Sequence, residues 1–149
     1  VPIAAYSRKS HARIVTVSPQ DLSVQVQFEI EDHIGAVARD RDRVIGATWD
    51  AEAFYVWDLE GKLLETRKNP TGVAYQDCKA IRGHLLCCGG QVVDWIDLET
   101  WQLKRRFSVG QSLQGHSLSR EGVSLLGDRL FLMPDDGLGC RFYELKLAR

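Results

Sequence analysis

Val56-Trp57-Asp58-Leu59-Glu60-Gly61-Lys62-Leu63-Leu64 and Trp95-Ile96-Asp97-Leu98-Glu99-Thr100-Trp101-Gln102-Leu103 repeat one pattern at a separation of roughly forty residues, and that repetition decides the fold. Apolar residues alternate on either side of an Asp-Leu-Glu-Gly or Asp-Leu-Glu-Thr turn, so each segment reads as a hairpin. Phe142-Tyr143-Glu144-Leu145-Lys146-Leu147 is a third copy, and Val15-Thr16-Val17-Ser18-Pro19-Gln20-Asp21-Leu22 supplies a fourth near the start. Ahead of each hairpin, a second pair of short apolar stretches meets at a tight turn. Leu125-Leu126-Gly127-Asp128-Arg129-Leu130-Phe131-Leu132 is the clearest, with Gly127-Asp128 expected to take the positive backbone angles of a two-residue loop. Ala80-Ile81-Arg82-Gly83-His84-Leu85 and Asp40-Arg41-Asp42-Arg43 mark two more.

Apolar residues rarely recur at helical spacing, so the chain is expected to be all-β. Two hairpins per period make a four-stranded antiparallel unit, and a period of roughly 40 residues is that of a β-propeller blade, whereas an immunoglobulin-like sandwich has no internal period. The count is about 3.5 four-stranded blades. A partial outer hairpin runs from about Ile3 to Ile30, and complete units start near His33, Thr71 and Gly115. Residues 1–149 are therefore read as a single partial propeller domain, part of a larger ring, because propellers close with roughly four to eight blades. An open arc leaves an apolar blade face in water at each end. Self-association, or a separate chain supplying the missing blades, is expected to cover them.

Composition excludes several classes. The net charge of −1 is spread along the chain, without the clustered Lys and Arg that nucleic acid or anionic lipid requires. Lys104-Arg105-Arg106 is the one dense basic spot, and it is read as a solvated edge strand. No apolar run approaches the roughly 18 residues that span a bilayer, and the N-terminus has no signal-peptide pattern. The chain is expected to be soluble; because it begins at Val1, a removed leader stays open, and with it the choice between a cytoplasmic and a secreted or periplasmic location. Cys78, Cys87, Cys88 and Cys140 form no CxxC motif. If Arg82-Gly83 is a two-residue turn, Cys78 faces Cys87 and a cross-strand disulfide comes within reach, but two small apolar thiols in a packed sheet are the expectation.

Asp32-His33-Ile34-Gly35, Tyr75-Gln76-Asp77-Cys78 and Leu130-Phe131-Leu132-Met133-Pro134-Asp135-Asp136-Gly137 resemble segments of an uncharacterised bacterial domain-of-unknown-function family of β-propeller-like proteins. The similarity runs over nearly the whole chain from Ile3-Ala4-Ala5-Tyr6. Family members carry additional N-terminal sequence, including a His- and Gly-containing strand that this chain lacks, so it corresponds to their C-terminal part. The resemblance implies a propeller-like fold and no known activity.

In a propeller, the loops entering the innermost strands and those between second and third strands share the face where ligands usually bind. Here they hold Glu31, Asp32, His33, Asn69, Gln114 and His116, then Trp49, Asp50, Glu52, Gly89, Gly90, Gln91, Asp135 and Asp136. His33, Asn69, His116 and Trp49 are the candidate ligand-binding residues, and the three residues His33, Asn69 and His116 are expected to approach one another. Asp32, Asp50 and Asp136 are candidate ligands for a divalent cation such as calcium, a hard ion that takes oxygen donors. Against this, Asp and Asn are favoured turn formers whose side chains bond the local backbone. Asp77 is expected to bond the backbone of a neighbouring blade, and His11 and His84 carry no signal.

Nothing assembles a nucleophile, a base and an orienting group, so the leading expectation is a non-catalytic ligand-binding or protein-interaction module. The alternative is a metal-dependent, lactonase-like hydrolase with its site at the channel mouth.

Overall fold

The computed structural model describes residues 1–4 and 10–147. The Ala5-Tyr6 part of the N-terminal family segment lies outside the described residues. Among the described residues, fourteen strands make four antiparallel sheets in which consecutive strands are neighbours, and Gly137–Gly139 form one short 3-10 turn. The first sheet is β1 (Pro2–Ala4), β2 (Ala12–Val17) and β3 (Val24–Ile30); the second is β4 (Ile34–Asp40), β5 (Arg43–Thr48), β6 (Ala53–Asp58) and β7 (Leu63–Lys68). The third is β8 (Asp77–Ile81), β9 (His84–Gly89), β10 (Val92–Asp97) and β11 (Leu103–Ser108), and the fourth is β12 (Gly122–Leu126), β13 (Arg129–Met133) and β14 (Tyr143–Lys146). The chain divides into two compact units, Val1–Ala74 and Tyr75–Arg149, each holding two sheets.

The repeat is structural. Asp58 ends β6 and Asp97 ends β10, each at the turn between the third and fourth strands of its sheet. Asp58 Oδ1 accepts from the Glu60 and Lys62 amides at 3.1 and 2.8 Å, and Asp97 Oδ1 from the Glu99 and Thr100 amides at 3.0 and 2.8 Å. A short carboxylate that organises its own turn is the reason Asp recurs there.

The second strands β5 and β9 are buried along nearly their whole length, which is why Val44-Ile45-Gly46-Ala47 and Leu85-Leu86-Cys87-Cys88 read as unbroken apolar runs. The outermost strands β3, β7 and β11 are largely exposed. In the first unit Ala12 and Ile14 pack with Ile34, Val44 and Trp57, flanked by Phe28 and Tyr55. Gly46 is required there, because a Cβ on it would lie 2.6 Å from the Trp57 ring. In the second unit Leu86, Cys88 and Val93 pack with Leu118, Val123, Leu130 and Leu132. The Asp77 carboxylate accepts the Val123 amide of the neighbouring sheet at 3.1 Å, as expected.

Several details differ from the sequence expectation. The first sheet has three strands rather than a hairpin, and the last has three rather than four. At the β12–β13 turn only Gly127 has a positive φ, since Asp128 is accommodated at negative φ. Tyr75 and Gln76 precede β8 instead of lying within it. The Arg82-Gly83 turn, with both φ values positive, places Cys78 opposite Cys87, and the two form a disulfide where separate thiols were expected. The direct pairing brings their Cα atoms to 4.1 Å, close enough for the sulfurs to meet. No helix of the described residues is long and apolar enough to cross a membrane.

Candidate functional site

Antiparallel pairing brings the β3–β4 and β5–β6 connections to one end of the second sheet. Ile34 pairs with Thr48, and the ladder continues one residue further because the Trp49 amide donates to the His33 carbonyl at 2.9 Å. The side chains of His33 and Trp49 are then forced side by side: their rings stack with centroids 4.6 Å apart and planes within 2° of parallel. Asp32 and Asp50 follow from the same register, and with His33 and Trp49 they line a recess of about 470 Å³.

Asp32 is bonded through both oxygens and Asp50 through one. Asp32 Oδ1 accepts its neighbour's amide, that of His33, at 2.7 Å, and Oδ2 accepts the Tyr55 phenol at 2.8 Å. Asp50 Oδ1 accepts the Thr48 hydroxyl at 2.6 Å and the Glu52 amide at 3.0 Å, which holds its carboxyl below the usual range. Among the described residues no Lys, Arg or His forms an ion pair with Glu31, Asp32, Asp50 or Glu52. The negative field is felt by Tyr55: burial, then the bond to Asp32 and the charges of Asp32, Asp50 and Glu52, push its phenol up to about 12. His33 is only 8% exposed, and its Nδ1 is buried without a hydrogen-bond partner.

Asn69 lies at the same end of the sheet, its amide donating to the Glu52 carbonyl at 2.9 Å. Its side chain is spent on its own loop. Nδ2 donates to the Val73 carbonyl at 2.9 Å, while Oδ1 accepts the Thr71 amide at 3.0 Å and hydroxyl at 2.9 Å. That is the turn-forming role, and it leaves little of the amide for a ligand.

His116 and Asp136 belong to the second unit. A tight loop closed by the Gln111–Ser117 bridge presents Ser112 and His116 together, and Asp136 Oδ1 lies 2.8 Å from Ser112 Oγ and 2.9 Å from His116 Nδ1. The buried carboxylate pins the loop and orients the half-exposed imidazole. Ser112 Oγ gives its proton to Asp136 rather than to the imidazole, so no serine–histidine nucleophile is assembled. Burial pushes the Cys88 thiol up to about 12, away from the thiolate that a cysteine nucleophile requires. Among the described residues no three His, Cys, Asp or Glu side chains gather in a way that suits a metal ion.

Two features escaped the sequence reading. Asp94 is fully buried on β10, where Arg106 Nε and Nη2 pair with it at 2.7 Å each and Tyr75 Oη donates at 2.6 Å. Arg106, read as part of a solvated edge, is thus one half of a bidentate pair. The signal was present, since an Asp between Val93 and Ile96 on a strand with apolar residues on both faces must find partners. His84, read as silent, lines a second recess of about 380 Å³ with Trp95, Lys104, Arg105, Phe107 and Leu147.

Residues 1–102 match a family of unknown function, DUF6454. The chain belongs to this family. The matched DUF6454 residues include the Asp32–Gly35 and Tyr75–Cys78 segments; the third resembling segment, 130–137, lies beyond them. No curated protein matches the sequence. Among solved structures, Myxococcus xanthus glutaminyl cyclase is similar with a TM-score of 0.55 at 16% identity, over 83% of this chain and 53% of that one. Kluyvelomyces marxianus Hsv2 is similar with a TM-score of 0.52 at 18% identity, over 92% of this chain and 42% of that one. This DUF6454 chain therefore has a propeller-like fold and spans about half the length of the solved structures it resembles.

Proposed function

We propose that this chain is a non-catalytic binding module whose site is the recess between Asp32, His33, Trp49 and Asp50. The observation that carries this reading is the recess itself, lined by the stacked His33 and Trp49 and by two carboxylates that form no ion pair among the described residues. The flat His33–Trp49 stack and the Thr48 and Glu52 bonds to Asp50 form the walls in advance, which lowers the ordering cost of binding.

The competing enzyme reading requires a metal. Thermal unfolding of the full chain with calcium, manganese and zinc, each with and without chelator, separates the two. The binding module is expected to keep its melting temperature across the series; a chelator-reversible rise would favour the metal-dependent hydrolase.

A further inference from the structure

From the side chains that line the second recess, we infer that it binds an aromatic carboxylate: a flat apolar ring system carrying one negative charge. This site lies wholly within the second unit, so it stands or falls separately from the recess at Asp32 and Trp49.

Two independent observations converge. The first is a pair of cations turned to one face. Trp95 pairs with Arg105 and Ile96 with Leu103, which makes Lys104 the extra residue of a β-bulge in β11. Consecutive residues of a regular strand point to opposite faces, and the bulge lets Lys104 and Arg105 reach the same recess. Arg105 is exposed and forms no ion pair among the described residues. Its guanidinium is held 5.7 Å from the centre of the Phe107 ring, so the fork is ordered in advance for a carboxylate. Lys104 Nζ lies 3.5 Å from Asp97 Oδ2, so that carboxylate offsets one of the two positive charges. A single anionic charge matches what is left, whereas a dianion such as phosphate exceeds it.

The second observation is the apolar wall. Trp95, Phe107 and Leu147 line the remainder with His84, whose ring lies 5.6 Å from that of Trp95 at 44°. None of the six lining residues is fully buried, so a ligand reaches them from solvent. The recess, about 380 Å³, is of small-molecule size. Aromatic walls beside an unpaired guanidinium suit a ligand that is flat and apolar at one end and anionic at the other.

The test is an NMR titration of the full chain that follows the Trp95 indole N–H resonance, assigned by its loss in Trp95→Phe. The probes are naphthoate, cyclohexanecarboxylate, naphthylmethylammonium and inorganic phosphate. Naphthoate is expected to shift the indole saturably, with cyclohexanecarboxylate about fivefold weaker for want of ring stacking. Naphthylmethylammonium should be about tenfold weaker, because it enters against the field of Lys104 and Arg105. Arg105→Gln removes a charge from an exposed edge with the core untouched and should weaken naphthoate about tenfold; Arg105→Lys should recover part of that loss. Phosphate or naphthylmethylammonium binding as tightly as naphthoate would overturn the assignment, as would unchanged naphthoate affinity in Arg105→Gln. Equal affinity for cyclohexanecarboxylate would overturn its aromatic part. A Trp95 indole that responds to none of the four probes would overturn the recess as a site.

Discussion

The carboxylates of this chain act chiefly on backbone amides and on one another's neighbours, and two of them set measurable titrations. Turn amides of Thr100 and Glu99, with the Thr100 hydroxyl, hold Asp97 at about 2, while burial and the Asp32 bond raise Tyr55 to about 12. For Tyr55 the folded state holds the proton more tightly than the unfolded chain, whose phenols titrate at roughly 10. Its contribution to stability is therefore complete below about pH 10 and is lost as pH rises toward 12. Phenolate absorbance should show a step near pH 12 that Tyr55→Phe removes; a Tyr55→Phe curve identical to the parent's would contradict the Tyr55–Asp32 geometry. For the candidate site, the sequence placed His33, Trp49, Asp32 and Asp50 on neighbouring loops because antiparallel order alone does so. It could not show that Asn69 spends its amide on Thr71 and Val73, since an Asx turn depends on loop geometry that residue types leave open.

Strands and their pairings explain where the sequence reading missed. The Asp94–Arg106–Tyr75 group joins β10, β11 and the residues ahead of β8. It replaces apolar contact with a buried charge held by a bidentate guanidinium. Removing one partner strands the other. Asp94→Ala and Arg106→Leu should each cost about 3 kcal/mol by urea unfolding, and the double substitution should cost clearly less than their sum. Strict additivity would show the pair to be energetically independent. The sequence of β11 is Leu-Lys-Arg-Arg-Phe-Ser, a pattern that correctly marks an edge strand. Which of its basic residues turns inward was decided by the register that sets Asp94 opposite Arg106. The Cys78–Cys87 pairing shows the reverse case. The turn at Arg82-Gly83 fixed the register, and local reasoning found the partner, while the bond itself ran against the preference of cysteine for plain packing.

At the scale of the molecule, the four sheets of the described residues contain fourteen strands, the equivalent of three and a half four-stranded blades. The resemblance to solved structures covers about half of each of those chains. Propeller-like rings bury every blade face against a neighbour, and a few hundred Å² of apolar surface left wet forfeits several kcal/mol at about 25 cal/mol per Å². That is comparable with the whole stability of a domain. We therefore expect this chain to associate with a second copy or with a chain that supplies further blades. Light scattering of the purified chain should give a mass above 16.8 kDa. A monodisperse particle of 16.8 kDa that unfolds cooperatively would show that these sheets are stable unaided.

The sequence by itself determined the all-β class, the repeat and the hairpins at Asp58 and Asp97, because alternation, turn residues and spacing are local properties read over a few residues at a time, while the strand number of the first and last sheets was not legible there. It also determined the sheet end on which Asp32, His33, Trp49 and Asp50 meet. Tertiary structure decided which of these side chains retain unused bonding capacity. His33 is buried with its ring stacked on Trp49 and its Nδ1 unpaired, and Asp94 is tolerated in the interior because Tyr75 and Arg106 reach it from other segments. A hydrogen-bond balance depends on every neighbour in space, and most of those neighbours are distant in the chain.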